Sequence, residues 1–174
     1  GNTRDAKVQI IESIENLIYY DYLEVKGTNL YKLDLLDPVV QYYPRDDDFY
    51  LESLAKVQYL QSEIAERSAE LISSNPGTLA ASVIKVDQPV FANPTLSKEQ
   101  QTAYLKANYF RDSDFLDTLL LNTNILTGKI ISYLSLYQKQ GLTQEQLEQQ
   151  LIMAVDTVME KAFVDQIKDH WQGQ

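Results

Sequence analysis

The sequence contains no cysteine, and its 174 residues include only one histidine, one tryptophan and six glycines. The absence of cysteine excludes disulfides, thiol catalysis, thiolate metal sites and iron–sulfur clusters from these residues. It does not indicate a cellular compartment, because a chain without thiols can fold in oxidising or reducing surroundings. With His170 as the single imidazole, a zinc site would need mostly carboxylate ligands, which zinc sites seldom use. We therefore expect no metal and no cofactor.

Basic residues and long apolar runs are also scarce. The chain has 15 Lys and Arg against 25 Asp and Glu, which gives a formal net charge of −10 at pH 7. So few cations cannot neutralise a row of phosphates, which argues against nucleic acid as a partner. The same deficit argues against anionic membrane surfaces. No run of about 18 apolar residues is present, so no membrane-spanning segment is predicted.

Motifs that carry catalytic chemistry are missing from the sequence. No serine lies in a Gly-x-Ser-x-Gly context, and no glycine-rich loop suited to phosphates is present. Two acidic groups are candidates, Asp46–Asp48 and the trio Asp112, Asp114 and Asp117. Carboxylates that converge in a deep cavity can bind a cation or act as acid and base, but helix and turn capping is the simpler interpretation. The sequence predicts a chain that is not an enzyme and has no catalytic residues.

Helical periodicity is the dominant signal in the sequence. Apolar residues recur at spacings of three or four, and the helix formers Ala, Leu, Glu and Gln are frequent. Thr78 is a candidate N-cap, and Ser97–Gln100 and Thr143–Gln146 have the spacing of capping boxes. The predicted helices are 5–23, 49–73, 79–85, 98–108, 122–138 and 144–168.

Glycine and proline positions predict where these helices are interrupted. Gly27–Asn29 is expected to end the first helix, and the alternation of apolar residues in 30–36 is compatible with a short strand. Asp37–Pro38 is expected to begin a helical turn. Pro89 and Pro94 bracket an extended connection between two helices.

The pattern as a whole predicts an all-α fold, an antiparallel array of five or six helices in one domain spanning 1–174. The helix–Asn-Pro-Gly–helix unit at 49–85 resembles one hairpin of a helical repeat, although the sequence has no fixed repeat period. We distinguish an N-terminal helix with an irregular segment (1–45), a helical core (46–168) and a polar tail (169–174).

Tyrosine is the most unusual feature of the composition, with 12 residues. Tyrosine is enriched at interfaces because it offers a broad ring and a polar tip. A surface that faces a partner is one interpretation, and packing of the rings between helices with hydroxyls at the rim is the other. The tyrosines in roughly the first third of the chain are Tyr19, Tyr20, Tyr22, Tyr31, Tyr42, Tyr43, Tyr50 and Tyr59.

A more specific pattern lies in residues 109–134. It is formed by Phe110, Asp114, Phe115, Asp117, Leu120, Leu121, Thr123, Leu126, Lys129, Ile130 and Tyr133. With these residues in register, the segment resembles one in a helical domain of unknown function that precedes the thioredoxin-like domain in TlpA-like thiol–disulfide oxidoreductases of Bacteroidetes. The family pattern is approximately Phe-Asp-x-x-Asp-Phe-x-Asp-x-x-Leu-Leu-Arg-Thr-Pro-x-Leu-x-x-Lys-Ile-x-x-Tyr. This chain departs from it at Arg111, Asn122 and Asn124, where the family has Asp, Arg and Pro.

The resemblance, which extends over about 50–165, implies an accessory domain of a cell-envelope redox protein. It implies a periplasmic or cell-envelope location, and a thioredoxin-like domain in the same natural chain as a partner. It implies no redox activity in these residues, because they lack the Cys-x-x-Cys pair. The alternative is a standalone helical module that binds a protein or peptide through its tyrosine-rich surface.

The matched residues are candidates for an interaction role, but they also have a packing interpretation. Phe115 is expected to pack between helices, while Asp117 or Thr118 caps a turn. Thr123 is expected to cap the following helix, whose inner face would contain Leu126 and Tyr133. Packing is the simpler expectation for this segment, and binding is the second.

Overall fold

The computed structural model describes the backbone of residues 13–120, 122–138 and 141–172, and their side chains as far as Asp165. Within these residues the structure is mostly helical and contains no strand, which confirms the predicted all-α array. A single 3-10 turn, Thr118–Leu120, lies between the fourth and fifth helices. The α-helices are α1 Ile14–Tyr42, α2 Asp48–Ser74, α3 Leu79–Asp87, α4 Lys98–Asn108, α5 Ile125–Ser135 and α6 Gln144–Gln172.

The first helix, α1, continues through every interruption predicted for it, so the predicted break at 27–29, the strand at 30–36 and the irregular segment up to 45 are wrong. Tyr22, Asn29 and Val40 form a buried stripe at helical spacing, and burial of that stripe outweighs the cost of about 1 kcal/mol for a helical glycine. Pro38 lies in the last turns of α1 instead of beginning a new one. There its missing N–H costs one hydrogen bond near the helix end.

Helices α1 and α2 form an antiparallel hairpin. Asp21 accepts a hydrogen bond of 3.2 Å from Nε of Arg67, and further along α1 the Asn29 amide donates to Glu63 at 2.6 Å. Two apolar clusters hold the hairpin, one near each end. The first contains Tyr22, Leu71 and Ile84, and the second contains Val40, Tyr50 and Val57.

Helix α3 has only nine residues and lies against α1, α2, α5 and the 3-10 turn. Its small residues Ala80 and Ala81 are buried, which allows the neighbouring helices to approach closely. Thr78 caps its start through a hydrogen bond from the backbone N–H of Ala81, as predicted. The carboxylate of Glu15, on α1, also accepts from the N–H groups of Leu79 and Ala80, at 3.3 and 3.0 Å.

The third apolar cluster lies between the 109–115 turn, α5 and α6. It contains the buried side chains of Phe110, Tyr133, Tyr137 and Ala154. The hydroxyl groups of Tyr133 and Tyr137 are 2.8 Å apart inside it. This cluster is separate from the two clusters of the α1–α2 hairpin, so the fold has a core on each side of α3.

The capping signals predict the starts of α4 and α6 correctly, whereas the bounds of α5 and the end of α6 differ from the prediction. Both predicted capping boxes are present, at Ser97–Gln100 and at Thr143–Gln146, and the connection with Pro89 and Pro94 is not helical and includes a turn at Pro94. The helix predicted at 122–138 is shorter and spans Ile125–Ser135, and α6 continues to Gln172 through most of the predicted polar tail. Over the described residues, no helix is long and apolar enough to cross a membrane.

Candidate functional site

The aromatic residues of the 109–134 segment pack in the core. The ring centroids of Phe110 and Phe115 are 5.5 Å apart, and those of Phe110 and Tyr133 are 4.8 Å apart. Phe110 and Tyr133 are buried, and Leu120 is buried against the same side of α3. The packing expected of Phe115 is therefore present, since its ring lies against this third cluster.

The acidic residues of the segment cap turns. Oδ1 of Asp114 accepts from the Leu116 N–H at 2.9 Å, and Oδ1 of Asp117 accepts from the Leu119 N–H at 2.9 Å. Asp112 instead forms an ion pair with Arg111, its neighbour in sequence. Asp47 of the other acidic group is the N-cap of α2. Within the described part of the chain, no group of three or more acidic or histidine side chains is placed to hold a metal ion.

The remaining residues of the segment lie around the start of α5. The Thr123 hydroxyl donates to the Leu120 carbonyl at 2.8 Å and accepts from the Ile125 N–H at 3.4 Å, but the N-cap position itself is Asn124, one residue later than expected. Leu126 is partly buried on α5. The matched residue Leu121 lies outside the described residues.

Lys129 differs from the other matched residues because it lines a cavity of about 670 Å³. This cavity lies between α1, the end of α3 with its following connection, α4 and α5. Its apolar walls are Val86, Pro89, Val90, Leu105 and Ile125. Its polar or aromatic residues are Lys26, Asp87, Gln88, Tyr109, Asn124, Lys129 and Ser132.

The ammonium group of Lys129 is bonded to a backbone carbonyl and not to a described carboxylate. Its Nζ donates to the backbone carbonyl of Val86, and no described carboxylate lies within 4.0 Å of it. Burial lowers the pKa of Lys129, and the charges of Asp87 and Asp112 oppose this shift. The ring centroid of Tyr109 lies 5.5 Å from Nζ, close enough for a cation–π contact. The site therefore holds a partly desolvated positive charge.

Lys26, on the opposite wall, is neutralised. Its Nζ lies 2.7 Å from Oδ2 of Asp87 and donates to the Asp87 carbonyl at 3.1 Å. The last carbonyl groups of α3 thus receive hydrogen bonds from lysines of α1 and α5, which matches the negative end of the helix dipole. Near this carboxylate the Tyr22 hydroxyl is buried, and burial, followed by the neighbouring carboxylate of Asp87, raises the pKa of Tyr22.

The α5 wall of the cavity has room and carries partial positive charge. Asn124 makes no side-chain capping hydrogen bond, so the positive end of the α5 dipole lies at the cavity wall formed by Asn124 and Ile125. A Cβ atom added at Gly128 would meet nothing within 4 Å. Burial also raises the pKa of Tyr109, although the Ser132 side chain acts in the opposite direction, so the Tyr109 hydroxyl stays protonated at neutral pH.

The tyrosines of α1 divide between the core and the surface. Tyr22 is buried, whereas Tyr20, Tyr31 and Tyr42 are 62%, 66% and 81% exposed. The exposed three are spaced by 11 residues, about three helical turns, so they share one face of α1. Leu35 is exposed on the same side. Packing between helices therefore holds for Tyr22, and the partner-facing interpretation stays a prediction for the exposed rings.

Of the described residues that line the cavity, the sequence marks only Lys129 as a candidate for an interaction role. Lys129 was marked by the resemblance, but Lys26, Asp87 and Tyr109 belong to three other elements, and only the fold brings them together. The lysine side chains that reach the end of α3 have no sequence signal, because their partners are backbone carbonyl groups.

The cavity combines charged, polar and apolar side chains. Its described lining residues supply one uncompensated cation, neutral hydroxyl groups and apolar walls, and none pairs a nucleophile with a base. Comparison with known proteins gave no match to any family model, curated protein or solved structure.

Proposed function

We propose that the chain is a non-catalytic helical binding module whose cavity takes a ligand with an anionic group and an apolar body. The observation that carries this proposal is the Lys129 ammonium, partly buried in a cavity of about 670 Å³ and with no described carboxylate within 4.0 Å of its Nζ. Ligand cavities usually measure about 300–1,000 Å³ and combine apolar walls with a few polar groups that orient the ligand.

The energetic argument concerns the cost of burying a charge. A desolvated ammonium is unfavourable unless it is paired, and Lys129 makes one hydrogen bond with a group that offers three donors. A ligand anion would supply the missing charge partner. The surrounding apolar side chains would add affinity as the ligand removes their surface from water.

Filling the cavity tests this proposal. Gly128→Leu places a side chain in open space on the cavity wall, whereas Gly27→Leu places the same side chain on the exposed surface of α1. Both substitutions remove a helical glycine, so they are matched in helix propensity. A library of small anions with apolar bodies should contain compounds that raise the melting temperature of the natural protein and of Gly27→Leu. The same compounds should not raise the melting temperature of Gly128→Leu.

Two results would contradict the proposal. One is a library in which no apolar anion stabilises the natural protein. The other is stabilisation of equal size in Gly128→Leu, which would place the bound compound elsewhere on the surface.

The biological setting that we propose is an accessory domain of a cell-envelope, TlpA-like protein, with the redox domain elsewhere in the same natural chain. The support is the sequence pattern at 109–134 alone. Reading the encoding gene beyond both ends of this chain tests it. A secretion signal or lipid-anchor motif upstream and a Cys-x-x-Cys downstream are expected, and a gene without the downstream pair would contradict the tethered arrangement.

A second candidate function is docking of a protein segment on the exposed face of α1. Tyr20, Tyr31 and Tyr42 supply aromatic surface there, and Glu24 and Asp34 are exposed acids on the same helix. Together with the net charge of −10, these acids favour a basic amphipathic segment as the partner.

A model peptide of Lys and Leu can probe this face. The double variant Tyr31→Ser, Tyr42→Ser keeps every charge and removes two rings, so binding should weaken at least tenfold if the rings form the docking surface. Unchanged binding would show that the peptide is attracted by net charge only, and the docking candidate would fail.

A further inference from the structure

We infer that the ligand of the cavity is a monocarboxylate with an apolar body, with its carboxylate paired to Lys129 and its hydrocarbon body against Val90, Leu105 and Ile125. This inference rests on the binding function proposed above and specifies the ligand's chemical class.

The charge balance of the cavity selects a single negative charge. Lys26 and Lys129 contribute two positive charges, and Asp87 cancels that of Lys26 at 2.7 Å. Nearby, Arg111 and Asp112 neutralise each other at 3.2 Å. One positive charge, on Lys129, is left. A monocarboxylate balances it, whereas a phosphate monoester, close to a dianion at neutral pH, would leave a buried negative charge unpaired.

The hydrogen-bonding groups also match a carboxylate. Lys129 has two donors beyond the one given to the Val86 carbonyl, and a carboxylate offers two acceptor oxygens. Asn124 and Ile125, at the start of α5, line the same cavity as Lys129, and the dipole at this end of the helix also favours negative charge. The protonated hydroxyl of Tyr109, on the same cavity wall, is a further neutral donor.

The remaining walls of the cavity indicate the rest of the ligand. Val90, Leu105 and Ile125 are partly exposed and offer aliphatic contact, whereas the Val86 side chain is buried, and the cavity is partly open to solvent. A hydrocarbon chain or ring gains from these contacts, whereas further polar groups on the ligand would have to give up water without a partner.

Three compounds with one hydrocarbon chain test the inference by calorimetry: octanoate, octanol and octyl phosphate, each below its aggregation concentration. Octanoate should bind the natural protein at least tenfold more tightly than the other two. Lys129→Met keeps the aliphatic stem and removes the charge, so octanoate should lose at least tenfold in affinity while octanol is unchanged. Lys129→Arg, which keeps the charge, should retain a preference for octanoate over octanol.

The outcomes separate the two proposals. If octanol or octyl phosphate binds as tightly as octanoate and Gly128→Leu abolishes binding, the cavity is a binding site but the carboxylate inference is wrong. If none of the three binds, or if Gly128→Leu leaves binding intact, the function proposed for the cavity falls as well. Circular dichroism of each variant checks its helical fold. If Lys129→Met does not fold, the ratio of octanoate affinity to octanol affinity in the natural protein and in Lys129→Arg tests the inference instead, and octanoate should be preferred in both.

Discussion

Two lysine side chains have a structural role at the end of α3 that accompanies any role in binding. Lys26 and Lys129 donate to the carbonyl groups of Asp87 and Val86, which no residue of α3 itself can satisfy. A cation at a helix C-terminus contributes about 0.3–1 kcal/mol. Because an ammonium has three donors, Lys129 can keep this bond and still bind a ligand.

The paired hydroxyls of Tyr133 and Tyr137 allow a residue-scale prediction. Tyr133→Phe keeps the ring in the cluster and removes one partner of a buried hydrogen bond of 2.8 Å. The free energy of unfolding should fall by about 1 kcal/mol, measured by urea denaturation. The control Tyr31→Phe, on the exposed face of α1, should change it by less than about 0.5 kcal/mol. Equal losses in both variants would show that the hydroxyl pair contributes nothing specific.

Helix α3 is stabilised at each end by charged side chains from other elements. Glu15 of α1 lies at its N-terminus, where the dipole is positive, and Lys26 and Lys129 lie at its C-terminus, where the dipole is negative. Nine residues are too few for a stable isolated helix in water. The helicity of α3 therefore depends on the helices packed around it.

Two glycines provide a prediction at the scale of elements. Gly27 lies inside α1 and Gly77 precedes α3, and a Cβ atom at either would meet nothing within 4 Å. They differ in backbone conformation, because Gly77 has a φ of 76°. Gly27→Ala should raise the free energy of unfolding by about 0.5–1 kcal/mol, whereas Gly77→Ala should lower it by about 1 kcal/mol. Thermal unfolding measures both, and a stabilising Gly77→Ala would contradict the left-handed turn.

Local signals predicted most elements, and tertiary packing explains where they failed. The hydroxyls of Thr78, Ser97 and Thr143 mark helix starts that depend on short-range hydrogen bonds, so they are visible in the sequence. Gly27 and Pro38 are local breaking signals in α1, but the buried stripe that overrides them is recognised only when α2 is in place. The cavity was beyond prediction for the same reason, since Lys26 and Asp87 lie 61 residues apart.

At the scale of the whole molecule, the cavity lies where the two parts of the fold meet. The clusters of the α1–α2 hairpin are on one side of α3, and the cluster around Tyr133 is on the other. Lys26 comes from the first part, and Tyr109 and Lys129 come from the second. A ligand that contacts both walls would stabilise the assembled state by mass action, because the site exists only when both parts are in contact.

Buried tyrosines make the stability of the molecule sensitive to alkaline pH. Burial raises the pKa of Tyr19, Tyr22 and Tyr109, and burial with the Tyr133 hydrogen bond raises that of Tyr137 to about 12. Above the ordinary tyrosine pKa of 10.0, the unfolded chain releases these protons before the folded chain does. The contribution of the tyrosines to the free energy of unfolding is therefore fully present below about pH 10 and is lost toward pH 12.

Lys129 acts in the opposite sense, because a lowered lysine pKa makes stability rise with pH up to the ordinary value of 10.5. Because four tyrosines oppose one lysine, the free energy of unfolding should fall overall as the pH rises above the ordinary tyrosine pKa. Urea denaturation followed across this range, with tyrosinate absorbance recorded in parallel, should show both changes together. A free energy of unfolding that stays constant up to pH 12 would contradict the burial of these hydroxyls.

The dependence of α3 on its neighbours has a consequence for the divisibility of the chain. A cut in the connection between α3 and α4 would leave α3 with the hairpin but without Lys129, and would leave the 109–165 cluster without the surface that α3 covers. Both products would lose the contacts of α3 with α5 and the 3-10 turn, so we expect each half to unfold more readily by itself than within the whole chain.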